Sequence, residues 1–176
     1  VLFILYTSPL SHVIRRHGLS YHFYADDTQL YDASKTHNLN DVRERVEQCV
    51  SDVKMWMDAN KLKMNEAKTE VMIVGNKARV KECNGAKIKI GNDEIEIGKK
   101  VKNLGVIFDT DMKMSHQVSA LCKTLNFELK KISNIRQFIS VDTCKKLVVS
   151  LILSKLDYCN SLLVNLPHTT IKRLQI

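Results

Sequence analysis

The sequence predicts an α+β fold, in which short antiparallel strands combine with amphipathic helices. Polar and apolar residues alternate in 20–31 and in 87–97, and turn-forming residues interrupt both segments, which is typical of β-hairpins. Apolar residues recur at three- and four-residue spacing in 39–59 and 113–137, which predicts helices with one buried face. A chain of 176 residues has the length of one domain, with or without a small appendage.

The first predicted element is a helix over roughly residues 2–17, bent or restarted near Pro9. Leu10 and Ile14 lie one helical turn apart in its second half. Gly18 then ends the helix, because glycine readily adopts the left-handed conformation of a C-terminal cap.

A β-hairpin follows, with strands at 20–24 and 28–31 and two adjacent acids, Asp26 and Asp27, at its tip. Asp suits a turn because its side chain bonds to nearby backbone N–H groups. Carboxylate oxygens are also the ligands that Mg²⁺ prefers, so this tip can hold a divalent cation. The alternative is an ordinary hairpin turn with two solvated acids.

A long amphipathic helix is predicted over residues 39–59, with Asn38 or Asn40 as its N-cap. We interpret Trp56 as a core residue rather than a base-stacking platform, because it lies on the apolar stripe. The stripe consists of Val42, Val46, Cys49, Val50, Val53, Trp56 and Met57.

The middle of the chain is predicted to be mostly extended. Residues 60–75 form a turn that leads into a strand at 69–74, and 76–84 form a polar, basic loop. The hairpin at 87–97 places lysines opposite glutamates on its solvent face.

A third strand is predicted at 101–109, with Gly105 at a place where another backbone approaches closely. Asp109 and Asp111 come at its end, where a turn is favoured over a role as extra metal ligands.

The C-terminal third is predicted to be helical. A helix over 113–137 precedes a second one over 141–156, which Ser140 caps. A short helix or loop at 158–166 and a last helix from residue 169 complete the chain. Positive charge on the first of these helices comes from Lys123, Lys130, Lys131 and Arg136.

The bulk composition excludes several classes of protein. No apolar run approaches the roughly 18 residues of a membrane span, and we expect no signal peptide, because the start lacks a basic n-region and a cleavage-type site. Five cysteines without Cys-x-x-Cys spacing predict neither a zinc site nor a disulfide framework. These features predict a nuclear or cytoplasmic protein in a reducing compartment, neither secreted nor membrane-bound. The chain begins without Met, which predicts a piece of a longer protein.

Positive charge is concentrated in the C-terminal two-thirds. Residues 1–60 hold 6 Lys/Arg and 8 Asp/Glu, whereas residues 61–176 hold 21 and 11. This asymmetry predicts a polyanionic partner such as nucleic acid, with a generic basic surface as the alternative.

Several motifs then resemble one family. Tyr24-Ala25-Asp26-Asp27 resembles the aromatic-Ala-Asp-Asp signature of reverse transcriptases, and its continuation through Tyr31 resembles the non-LTR (LINE-type) retrotransposon enzymes. Leu62, Asn65, Lys68 and Thr69 match the family pattern Leu-x-x-Asn-x-x-Lys-Thr. Leu104-Gly105-Val106 resembles the core of the primer-grip motif, and the Leu-Asp-Tyr-Cys-Asn-Ser-Leu-Leu run at 156–163 also recurs in the family.

The resemblance implies a fold and a division of the chain. Residues 1–75 would be the C-terminal part of a polymerase palm, an antiparallel sheet with helices on one face. Residues 76–112 would be a primer-grip-like β-hairpin region, and residues 113–176 a truncated helical thumb.

The same resemblance implies roles for individual residues. Asp26 would be a direct metal ligand and Asp27 a weaker ligand or a support, in a site that uses two Mg²⁺ or Mn²⁺ ions in the complete polymerase. Lys68 would lie near the triphosphate and protonate the leaving pyrophosphate. The residues that would contact the primer or other nucleic acid are Tyr24, Ala25, Leu104, Gly105, Lys123, Lys130 and Lys131.

The sequence also departs from the family pattern. Residues 1–20 contain no Asp or Glu, so the further catalytic Asp is missing, as are the nucleotide-supporting motif and the fingers. We therefore expect the chain alone not to polymerise DNA from an RNA template, a DNA primer and deoxynucleotides. We also expect it to fold poorly, because the missing strand belongs to the centre of the palm sheet. The alternative is a non-enzymatic retrotransposon remnant that binds RNA or DNA through its basic C-terminal region. A viral RNA-dependent polymerase is disfavoured, because those enzymes usually carry Gly-Asp-Asp.

Overall fold

The structure is a computed structural model that describes residues 1–33, 39–82, 85–91 and 93–175. It mixes helices with small antiparallel sheets, which confirms the α+β prediction. The chain forms two compact units. The first unit comprises Val1–Val71 and Ala78–Gly98, and the second comprises Met72–Lys77 and Lys99–Ile176.

Up to Gly98 the described residues form helices and short strands, in the predicted order except for one additional helix, α4. In chain order the elements are α1 (Leu2–Thr7), α2 (Leu10–Arg16), β1 (Ser20–Tyr24), β2 (Asp27–Tyr31), α3 (Leu39–Ala59), β3 (Val71–Met72), α4 (Lys77–Glu82), β4 (Lys87–Ile90) and β5 (Asp93–Gly98). The strands β1 and β2 form one antiparallel pair, and β3, β5 and β4 form a sheet in that order.

The predicted restart at Pro9 and the predicted stop at Gly18 are confirmed. Pro9 occupies the N-cap of α2, with φ of −63°, which suits the start of a helix because proline needs no N–H partner there. Gly18 adopts φ of +68°, and its N–H donates to the carbonyl of Arg15 at 3.0 Å.

The helix α3 has the predicted bounds and the predicted buried stripe. Trp56 packs against the core of the first unit, in agreement with its interpretation as a core residue. Asn38 lies outside the described residues, and Asn40 lies inside the helix rather than at its cap. The prediction that Asn40 caps α3 is therefore wrong, because the helix already includes Leu39.

Two clusters of apolar side chains hold the first unit together. The first cluster joins α2 to α3, and its Ile14 and Cys49 are completely buried. Burial, with a smaller contribution from the Asp52 carboxylate, raises the pKa of the Cys49 thiol to about 11. The second cluster joins α3 to the β4–β5 hairpin through Val50, Ile88 and Ile90. A single helix therefore organises both hairpins of this unit.

The β4–β5 hairpin has the predicted charge pattern. Lys87 lies opposite Glu96 and Lys89 lies opposite Glu94 in the antiparallel register. The Lys87 ammonium donates to Glu94 at 2.9 Å, which raises the pKa of Lys87 and lowers the pKa of Glu94.

Two predictions for the middle of the chain are wrong. The strand expected at 69–74 is only Val71–Met72, and a 3₁₀ turn over Glu66–Lys68 precedes it. The loop expected at 76–84 contains α4, because Lys-Ala-Arg-Val-Lys-Glu is composed mainly of good helix formers. Residues 83 and 84 of that expected loop lie outside the described residues.

From Lys99 onward, a hairpin precedes the helices. The elements are β6 (Lys100–Asn103), β7 (Val106–Asp109), α5 (Ser115–Ile135), α6 (Val141–Val148), a π-helical turn (Val149–Leu153), α7 (Ser154–Asp157) and α8 (His168–Ile171). Short 3₁₀ turns follow several of these helices, at Arg136–Phe138, Asn160–Leu163 and Lys172–Leu174.

The helices of the second unit pack around a common core. Leu125 and Ile132 of α5 are buried against Cys144 of α6 and Ile152 of the π turn. The Ser140 hydroxyl accepts the N–H of Thr143 at 3.1 Å, so the predicted cap of α6 is confirmed. The helix predicted at 141–156 is present, with one π turn inserted into it.

Candidate active site and nucleic-acid interface

The two acids of the sequence motif lie at the end of the β1–β2 hairpin. The antiparallel register runs from Ser20 opposite Tyr31 to Tyr24 opposite Asp27, so Ala25 and Asp26 form a two-residue loop. Ala25 adopts φ of +52°. Positive φ at this position matches the twist of the two strands, although it is unfavourable for a residue with a Cβ atom. The predicted hairpin is therefore confirmed, with Asp26 in the turn and Asp27 as the first residue of β2.

The inner face of this hairpin is fixed to the core of the first unit. Tyr21, Phe23 and Leu30 pack against the cluster formed by α2 and α3. The rings of Tyr21 and Phe23 have centroids 4.8 Å apart, and Arg15 donates to the Tyr21 hydroxyl at 2.8 Å. This packing anchors the hairpin that carries the turn.

The outer face carries the polar side chains. Cross-strand partners point to the same side of a sheet, so Asp27 shares the outer face with Tyr24. Tyr24 and Tyr31 are 59% and 56% exposed. His22 also lies on this face, although the sequence motifs give it no role. Side chains alternate between the two faces of a strand, so the position of His22 two residues before Tyr24 is the sequence signal that could have placed it on this face.

Both carboxylates are exposed, and neither makes a hydrogen bond or an ion pair with another described residue. Among the described residues no group of three His, Cys, Asp or Glu side chains could hold a metal ion. Mg²⁺ is commonly bound by one or two carboxylates, with water and substrate phosphates completing its coordination. Asp26 and Asp27 therefore fit a divalent cation as part of its ligand set, and further ligands must come from elsewhere.

Lys68 ends the 3₁₀ turn that follows α3. Its side chain is exposed and forms no ion pair within the described part of the chain, either with Asp26 or with Asp27. The neighbouring Glu66 is instead paired with Lys54. Within the described residues, the Lys68 ammonium is thus available for a phosphate.

The Leu104–Gly105 segment is a turn rather than part of a strand. β6 and β7 pair antiparallel with Asn103 opposite Val106, and Leu104 and Gly105 have φ of +46° and +84°. Positive φ at both central residues is the requirement of a tight type I′ hairpin turn. The predicted single strand at 101–109 is therefore wrong, as is the prediction that another backbone approaches Gly105. The nearest group to a Cβ at Gly105 would be the Tyr158 ring, 3.8 Å away.

Asp109 caps a helix and is not positioned as a metal ligand. Its side chain is buried, and its two oxygens accept the N–H groups of Met114 and Ser115, each at 3.0 Å. His116 lies 3.7 Å away. The carboxylate thus satisfies the first N–H groups of α5, which explains why the chain ends β7 with an acid.

The three lysines predicted to bind nucleic acid are exposed on α5. Lys123 and Lys130 are seven residues apart, so they lie on one face of the helix, and neither is paired with a described residue. Lys131 differs, because its ammonium lies 4.4 Å from the centroid of the Phe127 ring and 3.5 Å from Glu128. Lys123 and Lys130 are consequently the better candidates for phosphate contacts.

Glu128 links α5 to α7 through a second cation. Its carboxylate accepts from Lys155 at 3.2 Å, and this hydrogen bond is the main reason that the pKa of Glu128 is lowered from 4.5. A lowered pKa in the folded state means that the ionised carboxylate stabilises the fold.

We expect Glu128→Gln to lower the free energy of unfolding at pH 7 but not in strong acid. The contribution of the carboxylate is complete above about 4.5, the ordinary pKa, and is lost as the pH falls through the lowered pKa of the folded state. Urea unfolding of both proteins between pH 7 and pH 2 measures the difference. A difference that does not change with pH would contradict the prediction.

A comparison with protein-family models gives one match. Residues 1–108 match the family described as reverse transcriptase (RNA-dependent DNA polymerase). The chain belongs to the reverse transcriptase family. The matched residues include the acidic hairpin, Lys68 and the Leu104–Gly105 turn. Reverse transcriptases bind a template and a primer and use divalent metal ions, in agreement with the partners and cofactor expected from the sequence.

No curated protein and no solved structure matches the chain. Among the helices of the described residues, none has the length and apolarity needed to cross a membrane.

Proposed function

We propose that this chain is a part of a non-LTR retrotransposon reverse transcriptase, an RNA-directed DNA polymerase. The observation that carries the proposal is the pair Asp26–Asp27 at the end of an anchored hairpin, exposed and without a partner among the described residues, in a chain of the reverse transcriptase family. The full Leu-x-x-Asn-x-x-Lys-Thr pattern ending at Thr69 and the run at 156–163 support the non-LTR subtype.

The proposed division of the chain follows the same resemblance. Residues 1–75 are assigned to the C-terminal part of the palm, and residues 76–112 to the primer-grip-like region. Residues 113–176 are assigned to a truncated thumb.

The reaction is nucleotidyl transfer, in which the primer 3′-hydroxyl attacks the α-phosphorus of a deoxynucleoside triphosphate and the bond to pyrophosphate breaks. Divalent cations supply charge neutralisation and lower the pKa of the hydroxyl when bound. Asp26 and Asp27 would hold the cation at the end of the hairpin, and Tyr24 and Ala25 would lie beside the primer terminus. Lys68 balances phosphate charge and donates a proton to the leaving pyrophosphate.

We propose that the chain alone does not catalyse this reaction. The hairpin supplies two carboxylates, and the described residues bring no third acidic or imidazole ligand to them. The remaining ligand, the nucleotide-supporting motif and the fingers belong to the rest of the polymerase.

A second candidate function is binding of RNA or DNA without catalysis. The observation that favours it is the exposed face of α5, where Lys123 and Lys130 lie together without acidic partners among the described residues. Phosphate binding by such lysines requires none of the missing catalytic groups.

We expect the chain to bind an RNA–DNA hybrid in a salt-dependent manner, and Lys123→Gln with Lys130→Gln to weaken that binding. The slope of log affinity against log salt is negative, and each lysine that no longer neutralises a phosphate should lower its magnitude by about one, hence by about two for the pair. Fluorescence anisotropy of a labelled hybrid between about 50 and 200 mM salt measures the slope.

The matched control is Arg43→Gln with Arg45→Gln, which removes the same net charge from α3. Arg43 is paired with Glu47 and Arg45 with Asp32, so the slope of this double variant should equal that of the wild type. Equal decreases in the two double variants would mean that only net charge matters, and α5 would not be the interface.

A further inference from the structure

We infer that Tyr158 is a positioning residue that fixes the Leu104–Gly105 turn in the orientation used for primer binding. This inference rests on the proposed function, which assigns the turn to the primer-grip-like region. Tyr158 lies outside residues 1–108, the part of the chain that matches the family. It belongs to the run at 156–163, to which the proposed function gives no role.

Tyr158 bonds to Leu104 and lies beside Gly105. Its hydroxyl donates to the carbonyl oxygen of Leu104 at 2.6 Å, across a separation of 54 residues. Its ring passes 3.8 Å from the position of a Cβ on Gly105. The hydroxyl and the ring edge therefore hold the turn from one side, within the second unit.

The backbone around Tyr158 aims the side chain at the turn. Tyr158 follows the last residue of α7 and is extended, with φ of −61° and ψ of 114°, while its N–H still bonds to Ser154. Cys159 then adopts a left-handed conformation with φ of +55° before the next 3₁₀ turn begins. Leu156 packs against the helical core, so the chain is anchored just before the tyrosine.

The turn needs such a contact because the sheet that it belongs to has only two strands among the described residues. β6 and β7 pair with no third strand in the described part of the chain, and a two-stranded hairpin depends on packing and side-chain contacts for its stability. Leu104 is also held at positive φ, which is unfavourable for a residue with a Cβ atom. A hydrogen bond to the Leu104 carbonyl orients the peptide that carries this strain.

The test is Tyr158→Phe in the full 176-residue chain, which removes the hydroxyl and keeps the ring. We expect faster amide hydrogen exchange in a peptide that spans residues 103–107, with unchanged exchange in α5. Affinity for the labelled RNA–DNA hybrid should fall by about three- to tenfold, the effect typical of removing one hydrogen bond.

Tyr6→Phe is the matched control. The Tyr6 hydroxyl also donates to a backbone carbonyl 54 residues away, that of Asn60, but in the first unit. This variant should leave both the exchange of residues 103–107 and the affinity for the hybrid at their wild-type values.

Two readouts keep the inference and the proposed function apart. Unchanged exchange at 103–107 in Tyr158→Phe overturns the inference, whether or not the hybrid binds. Faster exchange with wild-type affinity also overturns it, because Tyr158 would then only stabilise the hairpin. If the wild-type chain binds no hybrid, the second candidate function, nucleic-acid binding by this chain alone, fails, and the role of Tyr158 in binding fails with it even where the exchange result shows that the turn is held.

Discussion

Replacing Asp26 with Asn in a full-length polymerase that contains this chain should slow primer extension by about 10²- to 10³-fold. The substitution keeps the size of the side chain and removes its charge. A neutral amide binds a divalent cation weakly. The charge that develops on the transferred phosphate in the transition state is then less well neutralised, which costs on the order of several kcal/mol of stabilisation. The rate of a single deoxynucleotide incorporation on a primed RNA template, with Mg²⁺ present, is the quantity to measure.

Asp58→Asn is the matched control, because Asp58 is an exposed acid near the end of α3, away from the hairpin turn in the sequence. It should leave the incorporation rate unchanged. The isolated 176-residue chain should give no product in the same assay. Mg²⁺-dependent product from the isolated chain that disappears in Asp26→Ala would overturn the proposal that it is inactive alone.

Ile14→Ala should lower the free energy of unfolding by about 2–5 kcal/mol. Ile14 has no exposed surface and lies where α2 packs against α3. Its removal leaves a cavity that the rigid surroundings fill only in part. A domain of this size has a stability of roughly 5–15 kcal/mol, so the variant loses a large fraction of it. Urea unfolding followed by circular dichroism measures the change.

Ile4→Ala is the control for this experiment, because Ile4 is 66% exposed in α1 and should change stability by no more than about 0.5 kcal/mol. A similar decrease in both variants would mean that Ile14 is not buried in solution. The wild-type transition in the same experiment also tests the expectation that the chain folds poorly. A broad, non-cooperative transition would support that expectation.

The elements in which apolar residues recur regularly over many residues were predictable from sequence. α3 begins and ends at the predicted residues, and α5 lies within two residues of its predicted bounds. In both helices many side chains repeat the same burial pattern, so the signal accumulates along the element. The β1–β2 hairpin was predictable for the same reason, since alternation and turn residues agree.

Short elements were less predictable. The sequence of the β6–β7 hairpin has the pattern of a single strand. Leu104 gives no sign of a turn, because leucine rarely adopts positive φ. Its conformation depends instead on the contacts that the turn makes. The helix α4 has only six residues, which carry too little periodicity to distinguish a helix from a polar loop.

The sequence by itself determined the family motifs, including the acids at 26 and 27 and the lysine at 68, because these are local patterns of residue type. Only the tertiary structure decided which groups accompany them. It places Tyr24 beside Asp27, buries Asp109 under α5, and leaves Lys123 without a partner among the described residues. It also joins Tyr158 to Leu104. These relations connect residues through register, burial and chain reversal. A contact between residues 54 positions apart cannot be predicted from a local sequence pattern, because neither neighbourhood contains information about the other.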